Sequence, residues 1–188
     1  FVSRVFESSD ITLSLEQQYV LKKFEDGENL FITGSGGTGK TMLIHHIIQK
    51  CISQNKQYQV TALTGCAALL LKCKAKTIHS WSGIKIAKGS KTQVIANVMK
   101  SRMALLEWRR TTVLIVDEVS MMSEKIFNIL EETGRIARSN PLPFGGIQVI
   151  FCGDFYQLPP VGNALEIETS NFCFESPVWE KVFKKENH

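Results

Sequence analysis

A glycine-rich segment, GSGGTGKT, constrains the fold of this chain more than any other feature of its sequence. The segment spans Gly34–Thr41, follows the apolar run LFIT and precedes an apolar stretch with helical periodicity. A loop of this spacing between a strand and a helix turns successive backbone N–H groups toward one point, and the helix N-terminus adds a favourable dipole. The segment therefore predicts a strand–loop–helix unit that binds the phosphates of a nucleoside triphosphate.

The roles of single loop residues follow from phosphate chemistry. The Lys40 side chain is long enough to reach the β- and γ-phosphates, and the Thr41 hydroxyl is an oxygen ligand suited to Mg²⁺. The predicted nucleotide-contacting residues of the loop are Gly34, Ser35, Gly36, Gly37, Thr38, Gly39, Lys40 and Thr41.

Short apolar runs alternate with helical patterns along the chain. The runs are Asn29–Thr33, Val60–Leu63, Val113–Val116 and Ile147–Cys152. The helical patterns cover residues 14–24, 41–52, 94–106 and 124–137, and Ser176-Pro177 is typical of the start of a last short helix. Runs without polar alternation indicate strands covered on both faces, so the pattern predicts an α/β fold with a mostly parallel sheet. In such sheets ligands bind at the carboxyl ends of the strands.

Two further segments place polar residues at the ends of predicted strands. Asp117 and Glu118 follow the run VLIV, where one acid can ligate Mg²⁺ and its neighbour can activate the attacking water. We assign the metal to Asp117 and the general base to Glu118. Gln157 follows the run that ends at Cys152, where its amide can sense the γ-phosphate; a surface glutamine in a turn is the alternative.

Charge is unevenly distributed along the chain. Ten basic residues and one acid lie between Cys66 and Arg110, which gives this segment +9, whereas the whole chain carries +4. This segregation indicates a polyanionic partner, but a solvated lysine-rich face explains it equally well. No apolar run approaches the length of a membrane span, so no membrane partner is expected. The five cysteines lack the spacing of a zinc site.

The chain is expected to form a single domain over residues 1–188. Its first residue is Phe1 rather than Met, which suggests a segment of a longer protein. Residues 84–93 resemble an exposed basic insertion rather than core.

Five segments together carry a family resemblance. In order they are GSGGTGKT, VTALTGCAA, KTIHSWSGI, VLIVDEVSMM and GGIQVIFCGDFYQLPPV. They resemble the Pif1 branch of superfamily 1 DNA helicases, related to RecD and phage Dda, and the resemblance runs from about Leu13 to Phe183. It implies the first RecA-like motor domain of an ATP-dependent helicase that moves 5′→3′ on single-stranded DNA. ATP, Mg²⁺, single-stranded DNA and duplex junctions are the implied ligands. An intracellular protein is implied, nuclear or mitochondrial in a eukaryote.

The resemblance also assigns residues outside the phosphate loop. Gln17 matches the glutamine that reads adenine, a role that can coexist with a Ser14–Gln17 capping box. The segments that begin at Thr64 and Thr77 resemble those that contact DNA. The predicted DNA-contacting residues are Thr64, Gly65, Lys72, Lys74, Lys76, His79 and Trp81. Trp81 has an alternative place in the core, because a large indole is as well suited to burial as to stacking on a base.

Two departures from the family pattern stand beside the match. The second motor domain and its arginine finger are absent from this sequence, and the segment at about 84–106 takes the place of the family's small 1B wedge. Two other functions are alternatives to a helicase motor. The first is a phosphate-loop ATPase of another class. A DNA-binding module with a degenerate ATPase site is the second, although Lys40, Thr41, Asp117, Glu118 and Gln157 are all intact.

Overall fold

The computed structural model of the chain describes residues 13–71, 73, 75–163 and 165–184. Lys72 and Lys74, both predicted to contact DNA, lie outside the described residues.

Within the described part, the strands form one parallel sheet with the order β1-β5-β4-β2-β3. They are β1 (Leu30–Thr33), β2 (Tyr58–Ala62), β3 (Lys76–Thr77), β4 (Val113–Asp117) and β5 (Gln148–Gly153). All four predicted runs are confirmed as strands. The edge strand β3 was not predicted, because a strand of two residues has no pattern of its own.

Helices cover both faces of this sheet. They are α1 (Leu15–Glu25), α2 (Lys40–Ser53), α3 (Gly65–Leu70), α4 (Ile78–Ser82), α5 (Lys91–Lys100), α6 (Arg102–Arg110), α7 (Glu124–Arg138) and α8 (Trp179–Val182). Short 3₁₀ turns lie at Val119–Met121, Pro143–Gly146, Ile167–Thr169 and Cys173–Glu175. None of the helices in this part of the chain is long and apolar enough to cross a membrane.

Alternate residues of β4 point into two separate cores. Val113 and Ile115 pack in the core that holds α1, α2 and α3, whereas Leu114 and Val116 pack in the core that holds α4 to α8. Because side chains alternate along a strand, an uninterrupted apolar run serves both layers. The predicted α/β architecture is confirmed.

The interpretation of residues 84–93 as an exposed insertion is confirmed for most of the segment, but two of its residues belong to the core. Ile84 and Ala87 are buried, and α5 and α6 contribute Val94, Val98 and Trp108 to the core on their face of the sheet. The lysines had suggested exposure, but they lie on the outer sides of segments whose apolar residues face inward. The assignment of 84–106 to a strand-separating wedge stays a prediction.

The helix predicted over 94–106 is two helices. Ser101 has extended backbone angles, and its hydroxyl accepts a hydrogen bond from the Ala104 N–H, which starts α6. A serine that caps a helix in this way competes with continuation of the preceding one. The last helix also begins later than predicted, because Ser176 accepts from the Val178 N–H in a turn before α8.

Candidate nucleotide site

The order of the strands brings three loops together. Because β5 lies between β1 and β4, the loops that follow these strands leave the same edge of the sheet side by side. They enclose a cavity of about 360 Å³. Its lining residues are Gly36, Gly37, Gly39, Lys40, Thr41, Asp117, Glu118, Gly153, Asp154 and Gln157.

The phosphate loop supplies one wall of this cavity. Gly37 and Gly39 have φ values of 83° and 88°, in the left-handed region that favours glycine, and Gly39 precedes the first residue of α2. The Lys40 ammonium donates hydrogen bonds to the carbonyl oxygens of Gly34 and Ser35, at 2.5 and 2.9 Å. The ammonium is therefore held within the loop, in the position from which a lysine of this motif meets phosphate oxygens.

Other predicted loop residues support the loop rather than line the cavity. The Thr38 hydroxyl donates to the Ser35 carbonyl oxygen at 2.9 Å, and the Gly34 and Ser35 carbonyls hold Lys40. These residues fix the shape of the loop, which decides where its N–H groups point.

The two acids after β4 lie on the opposite wall of the cavity. An Asp117 carboxylate oxygen accepts a hydrogen bond from the Glu118 N–H at 2.9 Å. Glu118 has φ 56° and ψ 39°, a left-handed conformation that is costly for a residue with a side chain. Strained backbone of this kind clusters at functional sites, and Glu118 lines the cavity.

Burial raises the pKa of both acids. It raises the pKa of Asp117, against the smaller lowering effects of the Glu118 N–H and the Lys40 ammonium. Burial also raises the pKa of Glu118, and the neighbouring Asp117 and Asp154 carboxylates raise it further, while Lys40 lowers it. A raised carboxylate pKa is the property that a general base requires to take a proton from water near neutral pH.

Asp154 is a cavity residue that was not assigned a role from the sequence. It is buried, and its carboxylate accepts hydrogen bonds from the Tyr156 N–H at 3.0 Å and from the Gln157 Nε2 at 3.4 Å. Asp154 thus orients the Gln157 amide toward the cavity. Its position directly after an apolar strand, like that of Asp117, was the available signal.

Of the two roles considered for Gln17, the structure shows the capping box. Its Oε1 accepts from the Ser14 N–H at 3.0 Å, and its N–H donates to the Ser14 hydroxyl at 3.2 Å, so the capping box is confirmed. Its Nε2 lies 2.8 Å from the position that a Cβ at Gly39 would take. The amide therefore lies against the phosphate loop, where contact with a base stays a prediction.

Among the described residues predicted to contact DNA, Thr64 and Gly65 lie at the start of α3, Lys76 lies in β3, and His79 and Trp81 lie in α4. Thr64 caps α3 by accepting from the Ala67 N–H at 3.2 Å, and Gly65 is exposed beside it. His79 is partly buried, and burial lowers its pKa, which favours the neutral ring.

Trp81 does not offer a stacking face in this structure. Its exposed fraction is 1%, and its ring centroid lies 4.6 Å from that of Trp108. The prediction that Trp81 stacks on a base is wrong for this conformation, and the core alternative is the one observed.

Part of the basic segment serves the fold. Both carboxylate oxygens of Glu107 accept hydrogen bonds from the Arg110 Nη2 at 2.7 Å, and the Lys76 ammonium lies 3.5 Å from one of them. Arg109 donates to the Ala137 carbonyl oxygen at 3.0 Å, and Lys91 pairs with Glu132 at 2.8 Å. The charge of +9 therefore overstates what this segment presents to a ligand.

The sequence model of the PIF1-like helicases matches residues 12–186, nearly the whole chain. The chain belongs to the PIF1-like helicase family. It is 41% identical over 183 residues to the ATP-dependent DNA helicase PIF1 of Candida albicans, covering 93% of this chain and 20% of that protein. It is 39% identical over 181 residues to the ATP-dependent DNA helicase RRM3 of Saccharomyces cerevisiae, covering 95% of this chain and 25% of that protein.

Solved PIF1 structures have the same fold. The crystal structure of the Candida albicans Pif1 helicase matches with a TM-score of 0.83 at 42% identity, over 93% of this chain and 39% of that one. A Bacteroides Pif1 helicase in complex with ADP, aluminium fluoride and single-stranded DNA matches with a TM-score of 0.76 at 29% identity. That match covers 92% of this chain and 41% of the other. The chain thus spans a fifth to a quarter of the length of these curated relatives.

Proposed function

We propose that this chain is the first RecA-like domain of a PIF1-type ATP-dependent DNA helicase. In the whole protein, ATP hydrolysis at this domain would drive 5′→3′ movement along single-stranded DNA and the opening of duplex junctions. The observation that carries the proposal is the cavity where Lys40, Thr41, Asp117, Glu118 and Gln157 converge from three loops. These side chains provide a phosphate cradle, acids and a neutral amide, which is the set that triphosphate hydrolysis uses.

Each residue has one task in this proposal. The loop N–H groups and the Lys40 ammonium hold the β- and γ-phosphates and stabilise negative charge on them. Glu118 accepts the proton of the attacking water, for which its raised pKa suits it. Gln157, oriented by Asp154, donates a neutral hydrogen bond at the γ-phosphate. Gln17 lies beside Gly39 and reads the adenine.

The donor set at this cavity fits a magnesium ion. Thr41 and Asp117 line the same cavity and offer a hydroxyl and a carboxylate oxygen, the hard ligands that Mg²⁺ selects alongside phosphates and waters. Burial raises the pKa of Asp117, so a nearby cation would favour its ionised form. We propose that Thr41 and Asp117 hold the ion, which when bound neutralises charge on the β- and γ-phosphates.

We place the DNA contacts on Thr64, Gly65, His79 and the lysines at 72, 74 and 76. The Bacteroides Pif1 structure contains single-stranded DNA, which supports a strand path on a domain of this fold. Trp81 is removed from this set because it is buried. A protein that acts on DNA is expected inside the cell, in the nucleus or mitochondrion of a eukaryote.

The proposal requires a second motor domain. None of the described arginines lines the nucleotide cavity. Arg109 and Arg138 instead hold carbonyl oxygens near the opposite edge of the sheet, where Arg138 contacts those of Gly145, Trp108 and Thr111. An arginine finger contributes about 10³–10⁵ in rate, so a second RecA-like domain of the same protein must supply it.

Steady-state phosphate release by the 188-residue chain tests this division of labour. We expect the chain to bind ATP but to hydrolyse it very slowly and to unwind no duplex, with or without single-stranded DNA. The reason is that no arginine finger stabilises the negative charge that develops on the γ-phosphoryl group. DNA-stimulated turnover of several per second by the monomeric chain would show that it is a complete motor. A chain that binds no nucleotide would refute the assignment altogether.

A further inference from the structure

A small polar pocket lies where α6, α7 and the turn at Pro143–Gly146 meet. Its volume is about 300 Å³, and its lining residues are Arg109, Ala137, Arg138, Ser139, Asn140 and Gly145. Because α6 and the turn end just before β4 and β5 begin, the pocket lies at the edge of the sheet opposite the nucleotide cavity. Small-molecule pockets usually measure about 300–1,000 Å³, so this one has the size for a small ligand.

Two arginines hold each other in this pocket. The Arg109 Nε donates to the Ala137 carbonyl oxygen at 3.0 Å, and the Arg138 Nη1 donates to the Arg109 carbonyl oxygen at 3.0 Å. The Arg138 Nε also donates to the Gly145 carbonyl oxygen at 2.7 Å. A Cβ added at Gly145 would lie 2.9 Å from the Arg138 Cδ, so the stem of this arginine packs closely on the turn. The chain itself therefore fixes the position of the Arg138 guanidinium.

The remaining guanidinium nitrogens have no acceptor within the described residues. They are the Nη1 and Nη2 of Arg109 and the Nη2 of Arg138. Neither arginine forms an ion pair in that part of the chain, and no carboxylate lines the pocket. Burial lowers the pKa of Arg138, with no acid to oppose the effect. The pocket thus presents charged donors and lacks a charged acceptor.

The ends of two helices offset only part of this positive charge. The C-terminal end of a helix carries roughly half a negative charge. Both α6 and α7 end at the pocket, and Arg138 bonds the carbonyl oxygens of Trp108, Arg109 and Thr111 at the end of α6. The two helix ends therefore balance about one of the two guanidinium charges, and about one charge is left over. Capping of the helices does not account for both arginines.

We propose that this pocket binds a phosphate group through Arg109 and Arg138. A guanidinium presents its donors in a planar fork that matches phosphate oxygens, and such charge-assisted bonds are stronger than neutral ones. A phosphate has enough oxygens to meet two guanidinium groups at once, whereas a carboxylate has only two. Ser139 and Asn140 add a hydroxyl and an amide to the lining. Free phosphate and the phosphodiester of a nucleic acid share this chemistry.

The Nε–H signals of the two arginines in ¹⁵N NMR report on this pocket directly. They are assigned with Arg109→Gln and Arg138→Lys. The probe is sodium phosphate near neutral pH, exchanged against sodium chloride at constant ionic strength. We expect phosphate to shift both signals saturably, and sodium acetate to bind at least about tenfold more weakly. Lys40→Ala should show the same shifts, which separates this pocket from the phosphate loop and from the proposed helicase function.

A pair of charge-matched variants separates the pocket from general basic charge. Arg109→Gln, read through the Arg138 signal, should weaken phosphate binding about tenfold or more, because it removes one of the two forks. Arg102→Gln removes the same charge from an exposed residue of α6 outside the pocket and should bind as wild type does. Arg138→Lys keeps the charge, loses the fork and should also bind more weakly. Thermal melts report folding, and Arg109→Gln decides the matter if Arg138→Lys does not fold.

Three results would overturn the proposal. They are the absence of a saturable shift, acetate that binds as tightly as phosphate, and equal weakening by Arg109→Gln and Arg102→Gln. The last would mean that phosphate is an adventitious ion only, attracted by a basic surface. A short oligothymidylate without a terminal phosphate identifies the source of the group. If it saturates the same signals and Arg109→Gln weakens it, the ligand is a nucleic-acid phosphodiester; if inorganic phosphate alone binds, the ligand is free phosphate.

Discussion

Asp117 illustrates at the scale of one residue how a functional group can oppose stability. Burial raises the pKa of its carboxyl, which means that the folded protein holds the ionised form less favourably than the unfolded chain does. At pH 7 this carboxylate therefore destabilises the protein without ligands, and the penalty is relieved as pH falls through the raised pKa. A bound cation would remove the same penalty.

We predict that Asp117→Asn raises the melting temperature of the nucleotide-free chain near neutral pH. The difference from wild type should shrink as pH falls toward and below the folded pKa of Asp117, because wild type then becomes neutral as well. The same variant should lose most of the magnesium-dependent part of ATP binding. Thermal melts over a pH series check the first effect, and a variant less stable than wild type at pH 7 would contradict it.

The sequence predicted the position of some site residues and missed or misplaced others. The phosphate loop, Asp117, Glu118 and Gln157 could be placed because each follows a strand whose apolar run is visible in the sequence. Asp154 follows the same rule but escaped assignment, because only its hydrogen bond to Gln157 reveals its part. Trp81 was assigned to DNA from its neighbours, and its burial depends on Trp108, which lies 27 positions further along the chain.

At the scale of elements, α7 is held by close backbone contact with the turn at Pro143–Gly146. A Cβ added at Gly134 would lie 2.7 Å from the carbonyl carbon and oxygen of Phe144. Helical periodicity predicted α7, but it gave no sign of this contact with a turn that folds back against it. The glycine is required by the packing, since its own backbone angles are ordinary for a helix.

We therefore predict that Gly134→Ala destabilises the chain by about 1–3 kcal/mol, the usual cost of overpacking. Gly65→Ala is the matched control, because Gly65 is also helical and a Cβ there meets no atom within 4 Å. Denaturant unfolding should place the control within about 1 kcal/mol of wild type, in line with helix propensity. Equal losses in the two variants would show that the contact with Phe144 is not tight.

A second prediction at the scale of elements concerns DNA binding by the basic segment between β2 and β4. If its lysines track DNA phosphates, log affinity for single strands should fall with log salt by about 0.7 per neutralised phosphate. Reversal of Lys72, Lys74 and Lys76 to glutamate should flatten this slope. The matched control changes net charge equally elsewhere, at Lys22, Lys181 and Lys184. Equal slopes in both triple variants would leave the segment as a solvated face.

At the scale of the whole molecule, the fold explains why the sequence was informative. Every strand of a parallel sheet delivers its following loop to one edge, so residues from distant segments meet in one cavity without long-range sequence signals. The sequence could not show that Lys76 and Lys91 form ion pairs with Glu107 and Glu132, because these contacts join separate elements, β3 with α6 and α5 with α7.

The central claim is that the edge of this sheet binds magnesium–ATP through Lys40. Calorimetric titration of wild type and Lys40→Ala with ATP and ADP, both with Mg²⁺, tests it most directly. We expect the variant to lose far more affinity for ATP than for ADP, because the ammonium meets the β- and γ-phosphates. The control is Lys50→Ala. Lys50 lies further along α2 and forms an exposed ion pair with Glu25 of α1, so this variant should bind both nucleotides as wild type does. Equal ATP affinity of wild type and Lys40→Ala would contradict the account.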